Sequence, residues 1–268
     1  MLKPSPIITL LTDFGTKDAY VAAMKGTILK ICPVARIVDI SHEVPRFNVK
    51  HAAFLLMQTA QYFPEGTIHV VVVDPGVGTS RRRIIIATKR SFFVGPDNGV
   101  LLSAAEREGL LQTIKIENTK YMLSEVSKTF EGRDVFAPVA AHLASGTALK
   151  SFGNPIKDVV KHPFPSPEIS KDGISGEVIH IDGFGNLITN INTRHIAAKT
   201  IRYGEKITVS INDRTSKIPF LRTYGSSSKG EYLTIIGSSD FLEISVNQGN
   251  AAQDLSVEVG AKIFIGRA

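Results

Sequence analysis

Residues 68–83 read Ile68-His69-Val70-Val71-Val72-Val73-Asp74-Pro75-Gly76-Val77-Gly78-Thr79-Ser80-Arg81-Arg82-Arg83. The apolar run that ends at Val73 predicts a buried strand. The connector after this strand combines an acid, two glycines and three arginines, which is unusual for a simple turn. Because ligands of open α/β sheets bind just beyond the carboxyl ends of strands, we expect this loop to line a binding site.

The chain begins with a similar pattern. The apolar run Ile7–Leu11 leads into Thr12-Asp13-Phe14-Gly15, so a second predicted strand ends in an aspartate and a glycine turn. Strands and helices alternate over residues 1–150, and this alternation predicts a mainly parallel sheet with helices on both faces. The fold class predicted for the N-terminal half is therefore an α/β sandwich, and the two aspartates are expected to share one pocket.

The second half of the chain has a different pattern. Prolines at 155, 163, 165 and 167 interrupt regular structure, and short predicted strands separated by turns begin at Gly173. We therefore predict an α/β domain over 1–155, a linker over 156–172 and a small C-terminal β-barrel domain over 173–268. Helices are predicted at 18–32, after an N-cap at Asn48, and at 134–146. The strands predicted in the second half are 174–182, 186–191, 206–211, 231–236, 241–246 and 261–266.

Composition limits the classes of function. The chain has 268 residues, of which 43% are hydrophobic, and a formal charge of +6. The basic residues are scattered and there is no tryptophan, so nucleic-acid binding is not indicated. No apolar run approaches the roughly 20 residues of a membrane span, and no signal peptide is apparent, so we expect a cytoplasmic protein without membrane contact. The single cysteine, Cys32, is expected to be buried in the core.

Several familiar motifs fail on inspection. Asp13-Phe14-Gly15 resembles a kinase triplet, but only twelve residues precede it, too few for the other kinase elements. Gly76-Val77-Gly78 lacks the third glycine of a dinucleotide fingerprint, and no Walker lysine motif is present. The histidines have no metal-ligand spacing, so no metal site is predicted. A methyltransferase is also a poor fit, since its glycine-rich turn should follow the first strand.

Polar residues cluster instead at the predicted ends of elements. Each has a structural explanation by itself: Asp18 as a helix cap, Asp74 and Asp182 as turn residues, and Asp134 as a partner of Arg133 or a cap. Together they are too many to be turns alone. These residues are Asp13, Asp18, Tyr20, Asp74, Arg81, Asn98, Thr129–Asp134 and Asp182–Asn186.

The ordered set of these segments resembles the S-adenosylmethionine hydroxide adenosyltransferase family, relatives of fluorinating and chlorinating enzymes that also act on S-adenosylmethionine. The segments span nearly the whole chain. The resemblance implies an N-terminal α/β domain, a C-terminal β-barrel, a homotrimer with active sites at subunit interfaces, and adenosine and methionine as products, with no cofactor. The segments are Leu11–Gly15, Val73–Thr79, Pro96–Gly99, Thr129-Phe130 with Gly132–Asp134, Ile181-Asp182 with Phe184–Asn186, and Phe241–Ile244 with Val246-Asn247.

The resemblance also implies roles for individual residues. The family aligns and activates a water molecule with an Asp, an Arg and a His, and Asp74 and Arg81 match the first two. The third position differs: where the family has Thr-Phe-His-Gly-Arg-Asp, this chain has Glu131. A carboxylate differs from imidazole in charge and in donor capacity. Glu131 is therefore predicted either to act as the base, or to slow the enzyme or change its nucleophile.

Substrate-binding residues follow from the same matching. Asp13 is expected to bind the ribose hydroxyls, and Asn186 the adenine edge with Phe184 beside it, although a core position is the alternative for Phe184. The residues expected to face the methionine ammonium and carboxylate are Asp182, Tyr20 and Ser238. Further candidates for substrate binding are Asp18, Asn98, Tyr224 and Glu243.

Two other functions stay open on the sequence. A halide-using relative would make a 5′-halogenated nucleoside, but Gly132 and the Asp/Arg pair favour water, and a carboxylate at position 131 would repel a halide. A module that binds S-adenosylmethionine or adenosine without turnover is favoured only by the glutamate at position 131. Product analysis distinguishes the three.

Overall fold

The computed structural model describes residues 2–161 and 164–267. The chain divides into two compact units, Met1–Pro163 and Phe164–Ala268. The parts of the predicted domains and linker that fall on Met1, His162, Pro163 and Ala268 lie outside the described residues. Within the predicted linker 156–172, the short strand Glu168–Ile169 pairs with the strand that follows it. The fold is mixed α/β with two sheets.

The first unit contains a seven-stranded sheet with the order β2-β1-β3-β5-β4-β6-β7. Its strands are β1 (Ile7–Thr12), β2 (Arg36–Ser41), β3 (Ile68–Val72), β4 (Arg83–Thr88), β5 (Phe92–Pro96), β6 (Leu110–Lys115) and β7 (Pro155–Ile156). Its helices are α1 (Tyr20–Ile31), α2 (Val49–Thr59), α3 (Leu102–Arg107) and α4 (Ala137–Ala144).

The pairing of this sheet corrects the expectation of a mainly parallel sheet. Strands β2, β1, β3 and β5 are parallel neighbours, whereas β4, β6 and β7 join antiparallel. The short connection between β4 and β5 explains the difference, since a parallel neighbour requires a crossover of about a dozen residues or more. The sheet is therefore mixed. Strands β1 and β3, which are followed by the loops of Asp13 and Asp74, belong to its parallel part.

Helices α1, α2 and α4 form where the apolar spacing and the Asn48 cap predict, whereas α3 was not predicted. In α1 the buried residues are Val21, Met24 and Ile28. Met24 and Ile28 pack in one core cluster with residues of α4 and of strands β1 and β3. Asn48 caps α2, because its side chain accepts a hydrogen bond from the backbone of His51 at 2.9 Å. The predicted helix at 134–146 is α4 preceded by a π-helical turn, Gly132–Phe136. Cys32 is buried in the core.

The second unit contains an eight-stranded sheet that is nearly barrel-shaped. Its two end strands approach each other through one bridge between Phe220 and Thr234, where the backbone of Leu221 donates to Thr234 at 2.9 Å. The strands are β8 (Glu168–Ile169), β9 (Gly173–Ile181), β10 (Leu187–Asn192), β11 (Lys206–Ile211), β12 (Arg214–Pro219), β13 (Tyr232–Ile236), β14 (Phe241–Val246) and β15 (Lys262–Arg267), with helices α5 (Thr193–Ala198) and α6 (Ala251–Leu255).

The six strands predicted in this unit correspond to six observed strands, but β8, β12, α5 and α6 were not predicted. Strand β12 is mostly exposed and polar, so it has little of the apolar alternation that identifies a strand. The feature that identifies this hairpin is the turn at Asn212, which has a φ of +50° and reverses the chain between β11 and β12. In the part of the chain that is described, no helix has the length and apolar character needed to cross a membrane.

Candidate active site

A pocket of about 410 Å³ lies in the first unit, at the carboxyl ends of the parallel strands. The loops after β1, β2 and β3 reach it, together with the segment that ends at Gly132. Four of the residues predicted from acidic or catalytic motifs line it, namely Asp13, Asp18, Asp74 and Glu131. Arg46 is the only cationic side chain among the described residues of this lining. The wall of the pocket is therefore rich in carboxylates.

Asp74 and Arg81 are joined by a two-pronged ion pair. Nε of Arg81 lies 3.0 Å from both carboxylate oxygens of Asp74, and Nη2 lies 2.5 Å from Oδ2. Both side chains are nearly buried, with 11% of Arg81 and 5% of Asp74 exposed. Such forked pairing fixes the planes of both groups. Asp74 faces the pocket, whereas Arg81 lies behind the lining residues.

Glu131 accepts from two arginines. Its Oε2 pairs with Nη2 of Arg81, and its Oε1 lies 2.6 Å from Nη2 of Arg83. Burial by itself would raise the pKa of this carboxyl, but the hydrogen bonds and charges of Arg83 and Arg81 outweigh burial and lower the pKa of Glu131. Glu131 is therefore an anion at neutral pH. The two carboxylates also raise the pKa of Arg81 above its ordinary value, against the effect of burial.

Two local conformations bring these charges together. Gly78 has a φ of +77°, and a Cβ there would lie 2.4 Å from the backbone oxygen of Lys128. The arginine loop therefore passes segment 128–131 so closely that position 78 has no room for a side chain. The π-helical turn that follows Glu131 is a conformation that is frequent at functional sites. Both features tie the loop after β3 to the segment that carries Glu131.

Arg82, between the two arginines that contact Glu131, has different partners. Its Nε lies 2.7 Å from Oδ2 of Asp97, and its Nη1 lies 2.9 Å from Oδ2 of Asp158. The other oxygen of Asp97 accepts from the backbone of Val160 at 2.9 Å. The middle arginine thus joins the segment after β7 to the residue that follows β5, and its pairs are separate from those of Asp74 and Glu131.

The loops after β1 and β2 meet at Asp13 and Phe47. The backbone of Phe47 donates to Oδ2 of Asp13 at 2.8 Å, and Phe47 has a φ of +64°, a strained value for an aromatic residue. Asp18 lines the pocket and does not cap α1, whose N-cap is Ala19. The capping explanation for Asp18 is therefore wrong.

Aromatic rings form another part of the wall. Phe14, Tyr20 and Phe130 contact one another, with ring centroids 5.0–5.7 Å apart, and all three line the pocket with Phe47. Sequence reasoning missed Arg46 and Phe47 as lining residues. Their position after β2, which neighbours β1, was the available signal, because adjacent parallel strands end at the same edge of a sheet.

Asn98 does not line this pocket. Its side chain donates to the backbone oxygen of Val73 at 2.9 Å and accepts from the backbone of Val100 at 3.2 Å. It supports the strand end from which Asp74 extends. Asp134 also has the structural contacts that its sequence allowed, with Nε of Arg133 2.6 Å from Oδ1 and the backbone of Ser127 2.8 Å from Oδ2.

In the second unit, Asp182 organises the turn between β9 and β10. Its Oδ1 accepts from the backbones of Phe184 and Asn186, both at 2.9 Å, and its Oδ2 accepts from the Asn186 side chain at 2.8 Å. Asp182 is thus a turn residue, as one explanation predicted, and it orients Asn186. Phe184 is 79% exposed, so the core position considered for it is wrong.

Tyr224 and Glu243 form a second pair in this unit. The Tyr224 hydroxyl donates to Oε2 of Glu243 at 2.7 Å. Burial raises the pKa of Glu243, and the nearby Asp182 raises it further, while the Tyr224 hydrogen bond lowers it in part. Burial and the hydrogen bond to Glu243 raise the pKa of Tyr224. Ser238 is exposed in the connection between β13 and β14.

The structure gives no group of three or more histidine, cysteine, aspartate or glutamate residues that could hold a metal ion, within residues 2–161 and 164–267. The site consists of carboxylates, arginines and aromatic rings around a cavity of the size that small-molecule ligands occupy. The fold and the site together define a two-unit α/β protein with a cavity suited to a small-molecule ligand at the carboxyl ends of parallel strands.

Comparison with known proteins gives the family. A family model described as the SAM hydroxide adenosyltransferase N-terminal domain matches residues 8–153, and a model of the C-terminal domain matches residues 176–264. The chain belongs to this family, which confirms the resemblance found in the sequence.

Several relatives are similar over nearly their full length. An (R)-S-adenosyl-L-methionine hydrolase of Methanocaldococcus jannaschii is 39% identical, over 94% of this chain and 92% of that protein. A protein of the same name from Salinispora tropica is 36% identical, over 98% and 99%. A fluorinase of Actinoplanes is 28% identical, over 98% of both chains.

A solved structure agrees with the fold. The crystal structure of an uncharacterized conserved protein from Thermotoga maritima superposes with a TM-score of 0.92 at 40% sequence identity. The match covers 97% of this chain and 100% of that chain. The two-sheet architecture is thus found in a solved structure that matches nearly the whole chain.

Proposed function

We propose that the protein hydrolyses S-adenosyl-L-methionine to adenosine and L-methionine. The observation that carries this proposal is the buried group Asp74–Arg81–Glu131, whose two carboxylates face a cavity of about 410 Å³. Relatives at 35–39% identity over nearly the whole chain are named (R)-S-adenosyl-L-methionine hydrolases, and the fluorinases are more distant. The substrate is therefore proposed to be the (R) epimer at sulfur.

The charge of the pocket suits this substrate. S-adenosylmethionine carries a sulfonium, an ammonium and a carboxylate and is therefore a net cation, and four carboxylates and one arginine line the cavity. Cations are attracted to such a wall, while a halide is repelled from it. This electrostatic balance supports water as the nucleophile rather than chloride or fluoride.

The reaction balances with water alone. The water oxygen forms a bond to the 5′ carbon, the bond from that carbon to sulfur breaks, and its electron pair stays on sulfur as the neutral thioether of methionine. One proton leaves the water. The leaving group needs no acid, so catalysis requires an aligned water and an acceptor for the proton. We propose that no cofactor and no metal take part.

Asp74, Arg81 and Glu131 are the proposed catalytic residues. Asp74 and Glu131 face the cavity and are the candidate acceptors for the proton of the attacking water. Arg81 holds both carboxylates through Nε and Nη2. It also stabilises negative charge as the water gains hydroxide character, because a guanidinium remains charged at all relevant pH values.

Other residues are proposed to bind the substrate. Asp13 is proposed to accept from the ribose hydroxyls through the oxygen that Phe47 leaves unoccupied. Asp182, Tyr20 and Ser238 are proposed to bind the methionine part. The remaining proposed substrate-binding residues are Asp18, Asn98, Phe184, Asn186, Tyr224 and Glu243, with the indirect contacts of Asn98 favouring a supporting role.

The finer architecture is also a proposal. We propose an α/β sandwich domain over 1–155, a linker over 156–172 and a closed β-barrel domain over 173–268. The bridge between Phe220 and Thr234 supports closure of the barrel. We further propose a cytoplasmic homotrimer with sites at subunit interfaces, which light scattering and chemical cross-linking of the purified protein would test.

Product analysis in H₂¹⁸O tests the function. Purified protein is incubated with each sulfonium epimer of S-adenosylmethionine, with and without chloride or fluoride, and the products are separated by chromatography and mass spectrometry. Adenosine with ¹⁸O at its 5′ oxygen, together with methionine, is expected from the (R) epimer. A 5′-halogenated nucleoside would move the protein to the halogenating branch, and binding without products would identify a binding module. Asp74→Asn is the matched control.

A further inference from the structure

Arg83 contacts the site without lining the pocket. It is the first residue of β4, its Nη2 lies 2.6 Å from Oε1 of Glu131, and 32% of its side chain is exposed. Glu131 is 3% exposed and has its other oxygen on Arg81. The two oxygens of this carboxylate are thus divided between two arginines.

The charges of the buried group around Glu131 balance only when Arg83 is included. Asp74 and Glu131 contribute two negative charges, and Arg81 offsets one of them. A buried carboxylate without its own cation is costly, so a glutamate at position 131 requires a second arginine.

Building on the proposed hydrolysis, we propose that Arg83 is a positioning residue that holds the Glu131 carboxylate in the orientation that the reaction requires. Arg83 holds Oε1, which leaves Oε2 directed at Arg81. Arg81 in turn holds Asp74. A chain of ion pairs, Arg83–Glu131–Arg81–Asp74, thus sets the orientation of both carboxylates that face the cavity.

Other titratable groups near Glu131 do not replace Arg83. Asp13, Asp18 and Arg46 line the same cavity, and Tyr20 is the pocket residue from α1, which packs against the π-helical turn. Arg133 is paired with Asp134, and no hydrogen bond joins either to Glu131. Among the described residues, Arg81 and Arg83 are the cations bonded to Glu131.

The first test compares Arg83→Met with Arg83→Lys. The Met variant is expected to lower kcat on the order of 10–100-fold with little change in KM, because a small displacement of a catalytic group has effects of this size. It is also expected to shift the acid limb of the kcat/KM profile to higher pH, since one cation beside Glu131 is lost. Arg83→Lys is expected to retain part of the kcat and to show a smaller shift of the acid limb than Arg83→Met. Arg90→Gln, at a partly exposed arginine in the connection between β4 and β5, is the control.

The second test exchanges the partner. In a Glu131→His background, Arg83→Met is expected to have little further effect on kcat, since there is no carboxylate to pair. An equal loss of kcat on Arg83→Met in the Glu131→His background and in the otherwise unsubstituted protein would overturn the proposal, because Arg83 would then have a structural role that does not depend on Glu131.

The third readout is independent of turnover. The Glu131 carboxyl is titrated by NMR with ¹³C-labelled glutamate, and its signal is identified by loss in Glu131→Gln. Its pKa is expected to rise in Arg83→Met, and an unchanged titration would overturn this inference. Absence of hydrolysis in the unsubstituted protein would instead overturn the proposed function, so the two failures are distinguishable.

Discussion

Glu131 in the first unit and Glu243 in the second are the same residue type at similar burial, with 3% and 6% of the residue exposed. Burial raises the pKa of both, yet the net pKa of Glu131 is lowered and that of Glu243 is raised. The difference lies in the partners: two arginines contact Glu131, whereas a tyrosine hydroxyl contacts Glu243 and Asp182 lies nearby. Cations nearby, rather than depth, decide the charge of a buried carboxyl.

The comparison has a functional side. An anion fixed by arginines can orient and receive a proton from water, while a carboxyl that retains its proton to higher pH can donate to a nitrogen or oxygen of a ligand. The first unit therefore has the groups suited to the chemical step, and the second has groups suited to recognition.

The largest expected effect removes the charge of Glu131. Glu131→Gln is expected to lower kcat/KM at least ~10²-fold, about 2.7 kcal/mol of barrier, which is typical of a general base. Steady-state formation of adenosine is the measurement, with the exposed Glu125→Gln as control. A near-normal rate would remove Glu131 from the mechanism. The different pKa shifts of Glu131 and Glu243 would then have no consequence for catalysis.

The next effect breaks the crossing that brings Arg81 to Glu131. Gly78→Ala is expected to lower the free energy of unfolding by about 1–3 kcal/mol from backbone strain, with a further loss because its Cβ meets the Lys128 oxygen. Chemical denaturation followed by circular dichroism measures this. Gly146→Ala is the matched control, since Gly146 has a φ of +92° but open space around its Cβ position. Equal losses in the two variants would mean that the crossing is unimportant.

A smaller effect concerns the partner of Glu243. Tyr224→Phe is expected to cost about 1–3 kcal/mol of unfolding free energy, because a buried carboxyl loses its donor. The pKa of Glu243 should rise further, since the Tyr224 hydrogen bond lowers it. NMR titration of the Glu243 carboxyl measures the shift. Tyr62→Phe, at a 74% exposed ring, should change neither quantity.

The smallest effect is one of pH. The raised pKa of Glu243 contributes stability at low pH that is lost as the pH rises through the folded value, whereas the lowered pKa of Glu131 contributes stability at neutral pH that is lost as the pH falls. The free energy of unfolding of Glu243→Gln is therefore expected to fall less than that of the unsubstituted protein as the pH rises through the folded pKa of Glu243. The free energy of unfolding of Glu131→Gln is expected to fall less than that of the unsubstituted protein as the pH falls through the folded pKa of Glu131. Thermal unfolding across a pH series measures both slopes, and parallel curves for all three proteins would contradict the comparison.

Local signals predicted much of this structure. The Asn48 cap and the spacing in α1 depend on nearby residues, and the structure has both. The pairing of β4 with β5 was within reach, because their short connection forbids a parallel crossover. The π-helical turn and the positive φ of Phe47 were not, since long-range packing imposes them.

The candidate site was predictable to a similar extent. Asp74 and Arg81 were paired through the resemblance to the family's motif, and the structure brings them together. The contact of Arg83 with Glu131 joins residues 48 positions apart and depends on how the loop crosses segment 128–131. No pattern in a single sequence distinguishes Arg83 from Arg82 at that distance.

The three consecutive arginines make the length of the loop as important as its composition. Arg81 and Arg83 reach Glu131, and Arg82 reaches Asp97 on the other side. Deleting one residue between Gly76 and Ser80 would move Arg82 and Arg83 into the places of Arg81 and Arg82, and Ile84 would take the place of Arg83. Glu131 would then lose one of its two guanidinium partners. Insertions and deletions are therefore the changes this loop tolerates least, and a loop-grafting design should preserve its number of residues before their identity.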